Sequence, residues 1–224
     1  MSFFNSIVDF FQSGGKFMYP IAVVLVIGLA VSIERWVFLT NARMQNRRSF
    51  DKILPLLKRR DYNAVMDIAR NTHAPVARIV GAGLARMQQT PRRDEIESAM
   101  EEGVLEAVPR LEKRTAYIAT LANIATLLGL LGTIMGLIAA FTAVANAVPS
   151  EKANLLSVSI SVAMNTTAFG LIAAIPLLLL HTAIQNKTTE IVDSLEMAGV
   201  KCLNIMSASS LTTKTRSSDG TTAK

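Results

Sequence analysis

Residues 155–184 read LLSVSISVAMNTTAFGLIAAIPLLLLHTAI, thirty residues without a formal charge. As an α-helix they would span about 45 Å, against roughly 30 Å of bilayer hydrocarbon. The stretch is therefore a membrane-crossing helix with length to spare. Its halves differ. Ser157, Ser159, Ser161, Asn165, Thr166 and Thr167 crowd the first half, and the second is almost wholly Leu, Ile and Ala. Polar side chains at membrane depth are costly unless they face protein or water. Either these groups bond neighbouring helices or they line a path for something polar.

Two more stretches have the same character. Phe17–Ile33 is an unbroken apolar run, and Trp36–Leu39 extends it past Glu34-Arg35. Glu34, Arg35 and Trp36 read as anchors at the membrane interface. Residues 116–148 carry no charge over thirty-three positions. Half of the chain is hydrophobic and mean hydropathy is +0.36. The fold class is an all-α membrane protein with three transmembrane helices and long helical extensions outside the bilayer.

The order along the chain follows. Residues 1–15 read as an amphipathic helix lying in the interface, with Phe3, Ile7, Phe10 and Phe11 on one stripe. No basic n-region or cleavage site suggests a signal peptide. The first span is 16–39. A helical insert occupies 40–115, the second span 116–148, a short loop 149–154 and the third span 155–184. An amphipathic extension runs over 185–206, and the Ser/Thr-rich tail 207–224 reads as disordered. Within the insert, Asp61–Ala69 and Val76–Met87 read as short helices. From about Arg93 one long helix is expected to continue into the second span, with Pro109 a kink at most.

Net charge is +6, but it marks orientation better than nucleic-acid binding. Fifteen Lys and Arg side chains fall between positions 41 and 115, while the 149–154 loop holds only Glu151 and Lys152. The positive-inside rule puts the insert and C-terminus in the cytoplasm and the N-terminus outside. No pattern of aromatic and basic residues suggests a nucleic-acid groove. One cysteine, Cys202, excludes an internal disulfide, and His73 and His181 have no metal-ligand spacing. No cofactor, nucleophile–base pair or phosphate loop is indicated, so the chain does not read as an enzyme.

Three features could carry a function. Gly129, Gly132 and Gly136 recur at spacings that let helices approach closely, and Thr133 sits among them. On the third span, Ser157, Ser161 and Asn165 share a face, while Thr167 lies about 200° from Asn165 on a helical wheel. One set can therefore pack against a neighbour while the other faces a lumen. Finally, the second and third spans hold no Asp, Glu, Lys or Arg, and His181 is their one imidazole. A proton relay would need an acid from elsewhere, whereas hydroxyls and carbonyls could complete the shell of a hard cation.

Gly129–Gly136, with its G-L-L-G-T-x-x-G pattern, and Thr167–Pro176, with T-A-x-G-L-x-A-A-I-P, resemble the MotA/TolQ/ExbB family, most closely its ExbB and TolQ branch. The resemblance covers essentially the whole chain, takes in Glu34-Arg35, and adds Gly170 and Pro176 to Gly129, Gly132 and Gly136 as helix-packing positions. It implies a homopentamer in the bacterial inner membrane, with the second and third spans around a central pore. It implies a dimer of a single-span ExbD/TolR-like partner inside, bringing the absent acid as a membrane aspartate. Ion flow would turn that pair and energise a TonB-like protein for outer-membrane uptake, or maintain the envelope in the TolQ case. Thr133 and Thr167 match the family's pore threonines, with Thr166 and Asn165 beside them. Three departures stand out: Val162 where some ExbB chains have glutamate, Thr126 where proline is common, and Thr166 where alanine is. The doubled threonine is similar to that of sodium-driven flagellar stators. The transported ion is then a proton or sodium. A passive membrane scaffold, with the polar residues as packing, is the reading left against it.

Overall fold

The computed structural model describes residue 11 and residues 14–219. The described helices are α1 (Met18–Lys58), α2 (Tyr62–Asn71), α3 (Pro75–Gln89), α4 (Arg93–Glu112), α5 (Thr115–Ala145) and α6 (Pro149–Asp219). Three stretches, within α1, α5 and α6, are long and apolar enough to cross a membrane. The chain divides into two units. One comprises residues up to Arg35 with Arg114–Ile184, and the other Trp36–Lys113 with residues from Gln185 onward.

The first unit is packed inside out relative to a soluble domain. Most of its buried positions are small, among them Gly28, Ala122, Ala125, Gly129, Gly132, Ala140, Ala163, Gly170, Ala173 and Ala174, with Met18, Ile21, Ile118, Leu177 and Ile184 the large side chains buried beside them. Most of its large aliphatic groups point outward, with Val26, Ile33, Leu127, Ile134, Ile172 and Leu179 all exposed. In lipid there is no hydrophobic gain from hiding Leu or Ile against another helix. Close backbone approach and hydrogen bonds hold the helices together instead. The second unit has the conventional arrangement. Ile53, Leu57, Val65, Ile79, Leu84, Ile96, Leu111, Leu195 and Leu203 are buried, and the charged side chains ring them.

Local chemistry sets the helix ends. Pro20 falls in the first turn of α1, where its missing N–H costs little. At the other end Arg60 takes a left-handed φ of 61°. There the Asp61 N–H reaches back to the Leu56 carbonyl (3.0 Å) and the Arg60 N–H to that of Leu57 (3.1 Å), a Schellman closure. Asp61 then caps α2, its carboxylate accepting from the Ala64 N–H at 3.2 Å. Pro75 opens α3, and the Asn46 side chain accepts from the Val76 N–H at 3.3 Å. Asp94 and Glu95 occupy the first turn of α4, where the helix dipole favours acids.

Several sequence expectations are corrected. The helix from Arg93 does not run on into the second span. It passes through Pro109, ends at Glu112, and restarts at Thr115 after Arg114 adopts φ 67°. The Lys113 N–H bonds the Pro109 carbonyl, so the proline closes the last turn and the left-handed residue makes the break. The 149–154 loop is instead the first turns of α6, because proline is well suited to open a helix. The turn between spans is Asn146–Val148. The tail expected to be disordered from 207 is helical as far as Asp219. Burial of Cys202, Leu203, Met206 and Ser207 carries an amphipathic face into it, and Arg93 bonds Asn204 (2.9 Å) and Ser207 (3.5 Å). The interfacial helix expected over 1–15 falls, apart from residues 11, 14 and 15, outside the described residues.

Candidate functional site

The distinctive site lies where α5 and α6 touch. Built Cβ atoms show how closely their backbones approach. A methyl on Gly170 would stand 2.9 Å from the Ala125 carbonyl oxygen and 2.9 Å from the Gly129 Cα. One on Gly132 would collide with the Thr166 side chain, and one on Gly136 would lie 2.7 Å from the Ala163 Cβ. The pairs 129/170, 132/166 and 136/163 thus run antiparallel along one seam. Four of the five residues read as packing positions stand on this seam. Pro176 is exposed, and its ring deprives the Ile172 carbonyl of a helical donor.

Around this seam three threonine hydroxyls donate to main-chain carbonyls. Thr167 Oγ1 donates across the seam to the Gly129 carbonyl at 2.8 Å. Thr133, one turn beyond Gly129 on α5, donates its hydroxyl to the Leu130 carbonyl at 2.6 Å. In a regular helix its N–H bonds the carbonyl four residues back, which is again that of Gly129. The backbone of one threonine and the side chain of the other therefore meet on one oxygen. Thr166 is 2% exposed. Its hydroxyl lies 2.6 Å from the Gly14 carbonyl and 2.9 Å from that of Val162, so it ties α6 to the chain that leads into α1.

The polar residues thus divide differently from the helical wheel. Thr166 and Thr167 make the bonds between segments, whereas Ser157 and Ser161 are exposed and Asn165 is half-buried. The acceptor for Thr166 is Gly14, 152 residues away, and no local pattern announces it. Thr133 and Thr167 give up their protons to carbonyls and keep their lone pairs. Such oxygens can solvate a cation or accept from an acid, but cannot relay protons alone.

At the far end of the first span, Arg35 is 3% exposed and Glu34 lies 3.6 Å from Arg114. The second unit begins at Trp36, whose ring carries the Lys187 ammonium 4.0 Å from its centroid. Lys187 also donates to Thr40 at 2.6 Å. Burial and the neighbouring Arg43 push its pKa down. Both Trp36 and Lys187 fall just past the ends of apolar runs, the signal that could have paired them. Cys202 is buried, and burial pushes its thiol up to about 11, so it is no nucleophile near neutrality. Among the described residues no group of three or more His, Cys, Asp or Glu side chains could hold a metal ion.

A family model described as the MotA/TolQ/ExbB proton channel family matches residues 71–197. That range includes the whole α5–α6 seam. A biopolymer transport protein named ExbB-like 3 from Synechocystis sp. is 29% identical over 169 residues, covering 75% of this chain and 80% of its own. A biopolymer transport protein named ExbB homolog from Methanothermobacter thermautotrophicus is 28% identical over 203 residues, covering 88% and 69% respectively.

Proposed function

This chain belongs to the MotA/TolQ/ExbB proton channel family, and from that premise we propose that it is an ExbB-like subunit of an ion-driven membrane motor. Five copies form a ring in the bacterial inner membrane, with the 40–115 insert and the C-terminus in the cytoplasm. The ring encloses a dimer of a single-span ExbD/TolR-like partner, whose membrane aspartate supplies the acid this hairpin lacks. Cation flow past that aspartate is coupled to a TonB-like protein, and a TolQ-like role in envelope maintenance would use the same parts.

The observation that carries the proposal is the pairing of Thr167, bonded to the Gly129 carbonyl, with Thr133 one turn along α5, bonded to that of Leu130, within two spans that hold no Asp, Glu, Lys or Arg. Hydroxyl lone pairs at that point give a passing cation, or a protonated aspartate, an oxygen ligand at membrane depth. The doubled Thr166-Thr167 bears on the choice of ion. Thr166 donates to Gly14 and is 2% exposed, whereas Thr133 and Thr167 are half-buried, which leaves these two as the hydroxyls accessible to the ion.

The hydrogen bonds from Thr166 and Thr167 also favour a second reading, a passive scaffold in which these residues only pack. Thr133 separates the two, because its hydroxyl bonds only its own helix. Thr133→Val is expected to leave assembly and thermal stability within about 0.5 kcal/mol of wild type while cutting ion-coupled activity at least tenfold. Thr167→Val should lose activity together with about 1 kcal/mol of stability, and Thr167→Ser should restore both. Full activity in Thr133→Val would sink the pore role. Output in sodium-free buffer with the proton gradient intact identifies the ion, since full activity there excludes sodium.

A further inference from the structure

A cavity of about 440 Å³ opens in the second unit, within the size range of small-molecule sites. Its lining includes the apolar Phe38, Pro75 and Leu111 and the charged Arg78, Arg110 and Glu106. Glu106 is the one acid among its lining residues. A single Glu106 oxygen accepts from Arg78 at 3.0 Å and from Arg110 at 2.8 Å. Two guanidiniums thus share one carboxylate oxygen. A full positive charge is left over, with most of ten N–H donors unspent. Pro75 opens α3, adding the positive end of a fifteen-residue helix, of which the Asn46 side chain takes one N–H.

The place of these residues in the chain names the ligand. Phe38 is the penultimate residue of the first span, and Leu111 precedes the second by about a turn. The cavity therefore sits at the level where a bilayer's headgroups begin, with apolar and cationic side chains in one lining. A soluble anion would have no use for Phe38 and Leu111, whereas a phospholipid uses both kinds of lining, its phosphate on the arginines and its first acyl carbons on the apolar side chains. Basic pockets at this depth are suited to anionic headgroups, and Arg forks match phosphate oxygens bidentately.

We propose that this cavity, between α1, α3 and α4, is a binding site for an anionic phospholipid of the leaflet that faces the insert. The proposal rests on the membrane placement given above, but not on the motor role, because lipid retention is read without any ion gradient. The full-length protein is purified in detergent and titrated with phosphatidylglycerol, phosphatidylcholine or glycerol phosphate. Bound species are then counted by native mass spectrometry. Wild type should retain phosphatidylglycerol in preference to phosphatidylcholine. The pair Arg78→Gln/Arg110→Gln should lose that preference by roughly tenfold or more, while the remote Arg70→Gln keeps it. Glu106→Gln, which frees the guanidiniums, should increase retention, a gain that mere structural damage would not produce. The proposal is overturned if wild type shows no preference for the anionic lipid or if the double variant keeps it. It is overturned equally if glycerol phosphate competes as well as the lipid, which would assign the site to a soluble phosphate. Failure of the motor reading would appear instead as unchanged ion-coupled activity in Thr133→Val, with lipid retention intact.

Discussion

At the scale of single residues, the seam between α5 and α6 depends on the absence of side chains. The atoms nearest a Cβ on Gly170 are main-chain atoms of Ala125 and Gly129, which cannot swing aside as a flexible side chain can. Gly170→Ala should therefore force the helices apart and cost about 1–3 kcal/mol, read as a lower unfolding temperature in detergent and a weakened assembly. Gly199 supplies the contrast. It lies on the same helix, and the nearest atom to its Cβ is the Met100 methyl at 3.8 Å. Gly199→Ala should raise stability by up to about 1 kcal/mol through helix propensity alone. If the two substitutions have equal effects, close packing is not what the seam requires. The glycine spacing of α5 was legible in the sequence, and Gly170 on α6 was expected to pack, but the pairing of the two was not legible, because spacing within one helix says nothing about what lies opposite. Thr166 was harder still. Its neighbour Thr167 has the same chemistry, and only the position of Gly14 assigns the two hydroxyls to different carbonyls.

At the scale of elements, charge-free length made all three spans legible, and the proline and acidic signals placed the starts of α3 and α4 within a residue or so. The ends were less legible wherever a non-glycine residue turned left-handed. Arg60 and Arg114 both have positive φ, and nothing in an arginine advertises that. A glycine at position 114 would have announced the break that separates α4 from α5. Pro109 drew attention instead and proved compatible with the final turn of α4. The cost of the left-handed arginine can be measured. Arg60→Gly should relieve about 1 kcal/mol of steric cost at the Schellman closure of α1 and raise the midpoint of thermal unfolding. Arg60→Val, β-branched and poorly suited to that conformation, should lower it. A midpoint that falls in the glycine variant would show that the arginine side chain contributes more than its backbone costs. The surface ion pairs of the second unit are a weaker lever. Arg43–Glu190 at 3.0 Å and Arg86–Glu95 at 3.3 Å are both well exposed, and such pairs contribute little in salt.

At the scale of the whole molecule, one chain follows two packing rules. Up to Arg35 and again from Arg114 to Ile184, most buried residues are small and most large aliphatic ones lie outside, Ile21, Ile118, Leu177 and Ile184 excepted; elsewhere the usual order holds. The sequence showed where each regime lies through its charge pattern, since fifteen basic residues fall between 41 and 115 and none between 116 and 148. It did not show which apolar residues of the spans face protein, because Leu and Ala serve equally well toward lipid. The two regimes should differ in heat capacity. Melting the second unit brings buried Ile, Leu and Val into water and should add about 12–15 cal/mol/K for each residue released. Separating the spans within a bilayer exchanges protein contacts for lipid contacts, so little apolar surface is newly wetted. Scanning calorimetry of the protein in vesicles should show a baseline step far smaller than 224 residues would give, matching the second unit alone. A step proportional to the full length would mean that the spans leave the bilayer when they unfold.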